Sequence, residues 1–169
     1  MDLCRKVYKF VMITNLKQIL TVVAAKEVLE NHGVHPSVQR IAIMKYLMEH
    51  CTHPTVDTIY TDLLATLPTL SRTTVYNTLQ LFCDANAARA ITIDKRNVRY
   101  EYCDGNHAHF LCTKCGRVFD VNISDHLSSQ LYHDERFTVE NVELNFVGIC
   151  SECDHQSKAA PPNQDQQKK

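Results

Sequence analysis

The chain of 169 residues contains no apolar run that approaches the roughly 20 residues needed to cross a bilayer as a helix. Its first ten residues lack the apolar core and the small-residue cleavage site of a secretory signal. No segment repeats along the chain. The content of 44% hydrophobic and 22% charged residues is that of a soluble globular protein. We therefore expect a cytoplasmic protein, in a reducing compartment where disulfides are rare.

Charge is distributed unevenly, although the net charge is only -1. Residues 1–100 carry 12 Lys/Arg and 8 Asp/Glu, a net charge of +4, whereas residues 101–169 carry 6 and 11, a net charge of -5. A basic half joined to an acidic half rich in cysteine suggests a module that binds a polyanion, followed by a module that binds metal.

Two Cys-x-x-Cys pairs lie in the acidic half, Cys112 with Cys115 and Cys150 with Cys153. Each pair brings two thiolates together through a tight turn, and four thiolates complete the tetrahedral shell that zinc prefers in structural sites. A closed shell leaves no open position for catalysis, so the predicted role of the zinc is to stabilise the fold. The alternatives are two disulfides or four buried thiols, and the lack of an export signal argues against disulfides.

The basic half has the pattern of a compact helical module. Apolar residues recur near helical spacing within residues 15–32, and Gly33 follows as a stop signal. Three further helices are predicted to begin after hydroxyl residues that can cap them, at Ser37, Thr55 and Ser71. The predicted apolar positions of the first helix are Leu16, Ile19, Leu20, Val23, Val28 and Leu29.

The fourth predicted helix, which ends near residue 84, is amphipathic. Val75, Leu79 and Phe82 are spaced to face the core. The opposite face presents side chains of the types that contact phosphates, thymine methyl groups and adenine edges, namely Arg72, Thr73, Tyr76, Asn77 and Gln80. An ordinary solvated helix would show the same pattern, so the hypothesis that this helix contacts DNA depends on the next segment of the chain.

A β-hairpin is predicted directly after this helix. Residues 90–93 and 98–102 are rich in strand-forming side chains, and the polar turn between them contains Lys95 and Arg96. Helices followed by a basic hairpin are typical of a winged helix, in which one helix enters the major groove and the wing approaches the backbone. The hairpin therefore favours DNA binding.

His107 and His109 belong to a second candidate metal site. In a strand, positions i and i+2 lie on one face. Three nitrogens and two carboxylates are available from His53, Glu101, His107, His109 and Asp120. This mixture suits Fe(II), Mn(II) or Zn(II). A surface pair of histidines beside unrelated carboxylates is the alternative, and the adjacent cysteine pair argues against it.

Such a site would connect His53 of the helical module to the C-terminal module. Metal binding would then fix the angle between the DNA-reading helices of a dimer, by a shift of population towards the state that binds the ion more tightly.

The acidic half is predicted to contain short strands at 107–111 and 118–122, a helix from 124 to about 133 and a long strand at 138–149. The apolar row of the long strand would face either a dimer interface or an ordinary core beside the helix. The predicted organisation is an N-terminal extension (1–14), a winged-helix DNA-binding domain (15–103), a hinge (104–106), a metal-binding dimerisation domain (107–156) and a disordered tail (157–169). The fold class is therefore α+β.

Five short motifs resemble those of a known family. They are His53-Pro-Thr-Val-Asp-Thr-Ile-Tyr60, Ser71-Arg-Thr-Thr-Val-Tyr-Asn77, His107-Ala-His-Phe-Leu-Cys-Thr-Lys-Cys-Gly116, Val118-Phe-Asp120 and Gly148-Ile-Cys-Ser-Glu-Cys153. Over nearly all of residues 15–155 the chain resembles the ferric uptake regulator (Fur) family of bacterial metal-dependent repressors. One departure is Ser37-Val-Gln-Arg40, where the family usually has Thr-Pro-Gln-Arg.

The resemblance implies a dimer with an N-terminal winged helix and a C-terminal α/β dimerisation domain. It implies one structural Zn²⁺ per subunit on Cys112, Cys115, Cys150 and Cys153. It also implies one regulatory ion per subunit on His53, Glu101, His107, His109 and Asp120, with Fe²⁺ or Mn²⁺ expected and Zn²⁺ possible. Tyr76 and Asn77 would contact double-stranded operator DNA.

Features of two branches of the family are present. Asp120 and Asn77 are similar to the peroxide-responsive branch (PerR), whereas Glu101 is more similar to the iron-responsive branch. The expected function is a cytoplasmic, homodimeric repressor that senses Fe(II) or Mn(II) and controls genes of iron uptake, oxidative stress or both. The alternatives are a zinc-responsive repressor of zinc uptake (Zur-like), a metal-storage or chaperone module, and a zinc-dependent hydrolase or deaminase. The hydrolase would need an open metal position and a general acid or base, which these motifs do not supply, so no enzyme is predicted.

Overall fold

The computed structural model describes residues 19–102, 107–123, 136, 138 and 142–154. The chain divides into two compact units, Met1–Asp104 and Gly105–Lys169. No helix among the described residues is long and apolar enough to cross a membrane. The predicted N-terminal extension, the hinge at 104–106, the helix from 124 to about 133 and the tail at 157–169 lie outside the described residues.

Four helices precede the first strand in the described part of the first unit. They are α1 (residues 19–31), α2 (Val38–Glu49), α3 (Val56–Leu63) and α4 (Arg72–Asp84). All three predicted N-caps are confirmed, because the side chains of Ser37, Thr55 and Ser71 each accept a hydrogen bond from a backbone N–H of the first turn. The predicted stop of α1 is also confirmed, since Gly33 has a φ of 71° and Val34 N–H donates to the carbonyl of Leu29 at 2.8 Å.

A single apolar core joins these helices. Its largest fully buried side chains in this unit are Phe82, Leu29, Ile43, Met44, Ile59, Leu79 and Val75. The core therefore draws on all four helices, and it includes the face of α4 that the spacing predicted. Burial of this face leaves the polar side of α4 exposed to solvent.

The predicted apolar face of α1 is wrong in its first turns. Ile19 and Leu20 are each 59% exposed and Val23 is 46% exposed, whereas Ala25 and Leu29 are completely buried. Periodicity alone predicted a longer buried stripe. In the described part of α1 only the C-terminal turns pack against the core, so Ile19, Leu20 and Val23 are exposed; the predicted core residue Leu16 lies outside the described residues.

A two-stranded antiparallel hairpin follows α4. Strand β1 (Ala88–Ile91) pairs with β2 (Arg99–Tyr102), and Arg89 lies directly opposite Glu101. The predicted hairpin is therefore present, with its first strand beginning two residues earlier and a longer connection than expected. The chain leaves α4 through Asn86, which has a φ of 54° and whose N–H donates to the carbonyl of Cys83 at 3.0 Å.

The described part of the second unit contains a three-stranded sheet in the order β4-β3-β5. Strand β3 (Ala108–Cys112) pairs antiparallel with β4 (Val118–Val121) and parallel with β5 (Asn145–Gly148). Helices in one unit and a small mixed sheet in the other give the predicted α+β composition.

The long strand predicted over 138–149 is much shorter in the structure. Residues 142–144 are described and are not in a strand, and residues 139–141 lie outside the described part. Strand β5 is limited by its neighbour, because its ladder runs only from Asn145 opposite His109 to Gly148 opposite Cys112. Among the described residues β5 lies at an edge of the sheet, and its Phe146 and Val147 are 42% and 63% exposed.

Candidate metal centres and nucleic-acid interface

The four cysteines of the two Cys-x-x-Cys pairs converge in the second unit. The sulfur atoms of Cys112, Cys115, Cys150 and Cys153 all lie within 4.8 Å of one another. Cys115 Sγ and Cys150 Sγ are 3.9 Å apart, although 35 residues separate them in sequence. All four are thiols rather than disulfides. Four sulfur donors grouped in this way fit a closed tetrahedral zinc site.

The sheet positions the two cysteine pairs. Cys112 ends β3 and lies opposite Gly148, which ends β5 two residues before Cys150. Thr113 N–H donates to the carbonyl of Gly148 at 2.8 Å, so the first turn is attached to the end of the neighbouring strand. A side chain at Gly148 would have its Cβ 3.1 Å from the ring of Phe110, so this ring would have to shift to accommodate it.

Gly116 closes the first cysteine turn. Its φ of 69° is favourable for glycine, and its N–H donates to the carbonyl of Cys112 at 2.9 Å. The sequence requirement for glycine after the second cysteine therefore follows from the backbone of the turn.

Hydrogen bonds to sulfur stabilise the thiolate of Cys112. The backbone N–H of Cys150 donates to Cys112 Sγ at 3.3 Å. This bond, followed by one from the backbone of Cys115, lowers the pKa of Cys112 to about 6. In the same cluster the hydrogen bond with Cys150, followed by burial, raises the pKa of Cys153 to about 12. Before a metal ion binds, ionisation is therefore favoured at Cys112 and disfavoured at Cys153.

Arg117 connects the two cysteine turns. Its Nε donates to Cys115 Sγ at 3.4 Å, and its terminal nitrogen pairs with the carboxylate of Glu152 in the second turn. The donation from Arg117 is the first cause of the lowered pKa of Cys115. The guanidinium also lies 5.2 Å from the centre of the Phe119 ring. Sequence reasoning did not identify Arg117, although its position two residues after Cys115 was visible.

His53 and Glu101 form a buried pair in the first unit. Their side chains are 2% and 8% exposed, and His53 Nε2 lies 3.4 Å from Glu101 Oε2. Burying an ionisable pair is costly unless it is well compensated, which makes this pair a candidate for function.

The backbone of His53 is unusual. Its φ of 51° lies in the left-handed region, which few residues with a side chain adopt. Arg99 donates to the His53 carbonyl at 3.1 Å, and Tyr100 N–H donates to the Pro54 carbonyl at 2.9 Å. Strand β2 therefore carries Glu101 and also fixes the position of the segment that contains His53.

The two oxygens of Glu101 have different neighbours. Oε2 faces His53, whereas Oε1 lies 3.6 Å from a terminal nitrogen of Arg89 on the opposite strand. Sequence reasoning missed Arg89, because its contact with Glu101 depends on the register of the hairpin.

The second unit contains its own group of candidate donors. His107 Nε2 lies 3.1 Å from His109 Nε2 and 3.4 Å from Asp120 Oδ1. His109 and Asp120 face each other across the β3–β4 ladder. The spacing of the two histidines therefore does place both rings on one side of the sheet, with a carboxylate beside them.

Donor chemistry separates the two kinds of site. Thiolates alone favour zinc, whereas imidazole and carboxylate groups suit Fe(II) or Mn(II) as well as Zn(II). The cysteine cluster thus fits a structural Zn²⁺, and the histidine and carboxylate donors fit a regulatory Fe²⁺ or Mn²⁺.

The polar face of α4 is exposed, as its periodicity predicted. Arg72, Thr73, Tyr76, Asn77 and Gln80 all lie at the surface, with Tyr76 51% exposed. Two of these side chains have contacts within the unit. Arg72 lies 3.1 Å from Asp57 and over the Tyr60 ring, and Gln80 donates to Asp84 at 2.9 Å.

A polar concavity of about 370 Å³ lies beside this face. It is lined by α4 and by the start of α2, through Ser37, Gln39, Arg40, Thr74, Asn77, Thr78 and Leu81. Asn77 therefore lies on the exposed face of α4 and also lines this concavity.

The connection between β1 and β2, which we call the wing, is held in place by contacts to Asp94. Its Oδ1 accepts from the Arg96 backbone N–H at 3.0 Å, and its Oδ2 lies 3.3 Å from Arg99. The backbone hydrogen bond from Arg96 is the main cause that lowers the pKa of Asp94. Lys95 and Arg96 are exposed at the tip, as the sequence predicted for this turn.

Comparisons with known proteins agree on one family. A family model described as "Ferric uptake regulator family" matches residues 31–147. The peroxide-responsive repressor PerR of Staphylococcus epidermidis is 34% identical over 127 residues, which cover 74% of this chain and 85% of that protein. The peroxide operon regulator of Bacillus subtilis is 33% identical over 131 residues, which cover 76% of this chain and 90% of that protein.

A solved structure shares the fold. The ferric uptake regulator Fur of Helicobacter pylori aligns with a TM-score of 0.65 over 79% of this chain and 91% of that chain, at 18% identity. At this level of identity the likeness concerns the fold alone, and it confirms the predicted α+β fold class.

Proposed function

The chain belongs to the ferric uptake regulator family, and from this we propose that it is a homodimeric repressor of transcription that binds palindromic operator DNA when a regulatory ion is bound. Its relatives are named as regulators and repressors rather than enzymes. The chain is accordingly a metal-dependent regulator and not an enzyme.

One observation carries this proposal. The buried pair of His53 and Glu101 lies in the same unit that exposes the polar face of α4. Two ligands of a regulatory ion would therefore belong to the module that contacts DNA. A ligand can shift a conformational equilibrium only through its different affinity for the two states, and donors built into the DNA-binding module supply such a difference.

The regulatory ion is proposed to bind His53 and Glu101 together with His107, His109 and Asp120 of the second unit. Support comes from the donor distances within each set and from the mixture of imidazole and carboxylate groups. The structural zinc is proposed to bind Cys112, Cys115, Cys150 and Cys153.

Operator contacts are proposed for the exposed side chains of α4 and of the wing. Tyr76 and Asn77 would contact bases and phosphates from the centre of the helix, with Arg72, Thr73 and Gln80 beside them. Lys95 and Arg96 would contact phosphates. In this proposal residues 15–103 form the DNA-binding domain and residues 107–156 form the metal-binding dimerisation domain.

The exposed edge strand supports a homodimer. Phe146 and Val147 on β5 present apolar area that the described part of the chain does not cover. A second copy of the chain would bury this area and pair with the edge of the sheet. We place the dimer in the cytoplasm, where its DNA target and reduced cysteines would be found.

The proposed signal is peroxide acting on an Fe(II)-loaded repressor, with control of oxidative-stress genes. The two relatives are named as peroxide regulators at 34% and 33% identity. The comparisons support neither the zinc-uptake alternative nor the hydrolase.

The test begins with a palindromic duplex selected by the protein from a random pool in the presence of Mn(II). Fluorescence anisotropy is then used to measure binding of this duplex to protein loaded with Fe(II), Mn(II) or Zn(II), under anaerobic conditions and after brief exposure to peroxide. We expect tight binding by the Fe(II) and Mn(II) forms and loss of binding by the Fe(II) form alone after peroxide.

The matched variants are Glu101→Gln, which removes a proposed ligand charge, and Glu27→Gln, which removes a negative charge from an exposed position on α1. Glu101→Gln should abolish the dependence of DNA binding on metal, whereas Glu27→Gln should behave as wild type. Equal affinity of the metal-free and metal-loaded protein for the duplex would refute the proposal.

A further inference from the structure

The two oxygens of Glu101 lie beside different groups. Its carboxylate is 8% exposed, with Oε1 lying 3.6 Å from Arg89 and Oε2 lying 3.4 Å from His53 Nε2. The guanidinium therefore approaches the oxygen that does not face the histidine. The carboxylate presents one oxygen to a permanent cation and the other to a candidate metal ligand.

The hairpin register produces this arrangement. Arg89 on β1 is the direct cross-strand partner of Glu101 on β2, so both side chains project from the same face of the two-stranded sheet. Arg89 is 28% exposed, and its contact with the buried carboxylate is shielded from solvent more than a surface ion pair would be.

The other cation on this strand has a different role. Arg99 lies two residues before Glu101, and its terminal nitrogens contact the His53 carbonyl and the Asp94 carboxylate. Its charge is therefore matched by Asp94 of the wing, whereas that of Arg89 is directed at Glu101.

We propose that Arg89 is a positioning residue of the regulatory metal site, which it controls in two ways. By holding Oε1 it leaves Oε2 as the oxygen of Glu101 that binds the ion, on the side of His53. By placing a positive charge beside a ligand oxygen it lowers the affinity of the site for any divalent cation. This inference rests on the proposed function, because it requires that Glu101 is a ligand of the regulatory ion.

The electrostatic repulsion between Arg89 and the ion decides whether removal of Arg89 strengthens or weakens metal binding. A guanidinium and a divalent ion that share one carboxylate repel each other at short range, in an environment less polar than water. The positioning effect of Arg89 acts in the opposite direction, since a fixed carboxylate binds a metal ion more tightly than a mobile one. We expect repulsion to dominate, because Glu101 lies on β2 and is 8% exposed, so the strand and its buried surroundings still restrict the carboxylate when Arg89 is removed.

The experiment measures Mn(II) binding to zinc-loaded wild type, Arg89→Gln, Arg89→Lys and Lys26→Gln, by the loss of the free Mn(II) signal in electron paramagnetic resonance. Lys26→Gln is the matched control, because it removes one positive charge from an exposed position on α1 where Lys26 pairs with Glu30 at 3.5 Å. We expect Arg89→Gln to bind Mn(II) about tenfold more tightly than wild type, and Lys26→Gln to bind as wild type does. The thermal midpoint of Arg89→Gln without Mn(II) should fall, because the buried carboxylate loses its cation.

This combination of tighter metal binding with lower stability separates the proposal from a purely structural role, for which both would fall. Affinity of Arg89→Gln equal to or weaker than that of wild type would overturn the inference. Should Arg89→Gln fail to fold, Arg89→Lys decides, since it keeps the charge and should retain the Mn(II) affinity of wild type within about threefold. A larger change would overturn the inference.

Glu101→Gln separates failure of this inference from failure of the proposed function. If Glu101→Gln binds Mn(II) as wild type does, Glu101 is not a ligand and the proposed regulatory site is wrong. If Glu101→Gln loses binding while Arg89→Gln matches wild type, only the role of Arg89 is wrong.

Discussion

Arg99 donates a hydrogen bond to the backbone carbonyl of His53 at 3.1 Å, across 46 residues of sequence. A second nitrogen of the same guanidinium lies 3.3 Å from the carboxylate of Asp94, whose other oxygen accepts from the backbone of the wing. One side chain thus joins the backbone of a candidate metal ligand to the turn that carries Lys95 and Arg96.

Replacing Arg99 should destabilise the first unit. Arg99→Gln removes a charged donor from two acceptors, and Arg99 and Asp94 are only 18% and 15% exposed. We expect the free energy of unfolding to fall by about 1.5–3 kcal/mol, the range for hydrogen bonds to charged groups. Urea denaturation followed by circular dichroism measures the change.

Arg96→Gln is the control for Arg99→Gln, because it removes an exposed arginine from the same hairpin. Its unfolding free energy should stay within about 0.5 kcal/mol of wild type, as for most surface substitutions. Equal losses in the two variants would show that the contacts of Arg99 with His53 and Asp94 do not stabilise the unit.

Removing one thiolate should release the structural zinc. Cys112→Ser deletes the completely buried sulfur whose lowered pKa favours metal binding at neutral pH. We expect about one zinc fewer per subunit by elemental analysis, together with loss of folded structure in the second unit. His107→Ala should keep this zinc. A folded Cys112→Ser variant without zinc would contradict the structural role.

Residue types and spacing predicted much of the candidate chemistry. The donors were identifiable because thiol, imidazole and carboxylate groups carry their metal preferences with them, and the caps at Ser37, Thr55 and Ser71 were identifiable because they act within one turn. The contacts of Arg89, Arg99 and Arg117 could not be predicted, since they depend on strand register and on segments brought together by the fold. The exposed start of α1 and the short β5 were missed for the same reason, because periodicity indicates a possible face and not the surface that covers it.

Arg117 should slow the release of zinc. It donates to Cys115 Sγ and pairs with Glu152, so it ties the first cysteine turn to the second. Groups that hydrogen-bond to metal ligands typically contribute about 10–100-fold to affinity, and we expect zinc transfer to a chelator to be roughly tenfold faster in Arg117→Gln.

Lys114→Gln is the control for Arg117→Gln, because it removes a charge from an exposed position in the same turn. Its release rate should match that of wild type. A similar acceleration in both variants would assign the effect to net charge rather than to the contacts of Arg117.

Tyr46 should make stability depend on pH in the alkaline range. Burial, followed by its hydrogen bond to Asp62 at 2.5 Å, raises the pKa of Tyr46 far above its ordinary value of 10.0. Between that ordinary value and the raised one, the unfolded chain loses this proton and the folded chain keeps it. The stabilisation is therefore complete below about pH 10 and declines above it, by up to about 1.4 kcal/mol per pH unit.

Tyr46→Phe isolates this contribution, since phenylalanine cannot ionise. The difference in unfolding free energy between wild type and Tyr46→Phe should be about 1 kcal/mol at about pH 8 and should shrink as the pH rises above about 10. Urea denaturation at about pH 8 and again above about pH 10 measures this difference. Tyr60→Phe is the control variant. A difference that stays constant with pH would contradict the assignment.

The wing should contribute to DNA binding through charge alone. Lys95 and Arg96 are exposed at the turn, and a cation that neutralises one phosphate steepens the decline of log affinity with log salt concentration by about 0.9. Lys95→Gln combined with Arg96→Gln should therefore make this slope less negative by about 2, without changing the order of preference among duplexes.

Asn77→Ala should instead weaken the preference for the selected duplex and leave the salt slope unchanged, because the amide of Asn77 can distinguish base edges and carries no charge. Anisotropy titrations at several salt concentrations on the selected duplex and on a scrambled one measure both effects. If the wing variant changed sequence preference and left the slope intact, the roles assigned to the wing and to α4 would have to be exchanged.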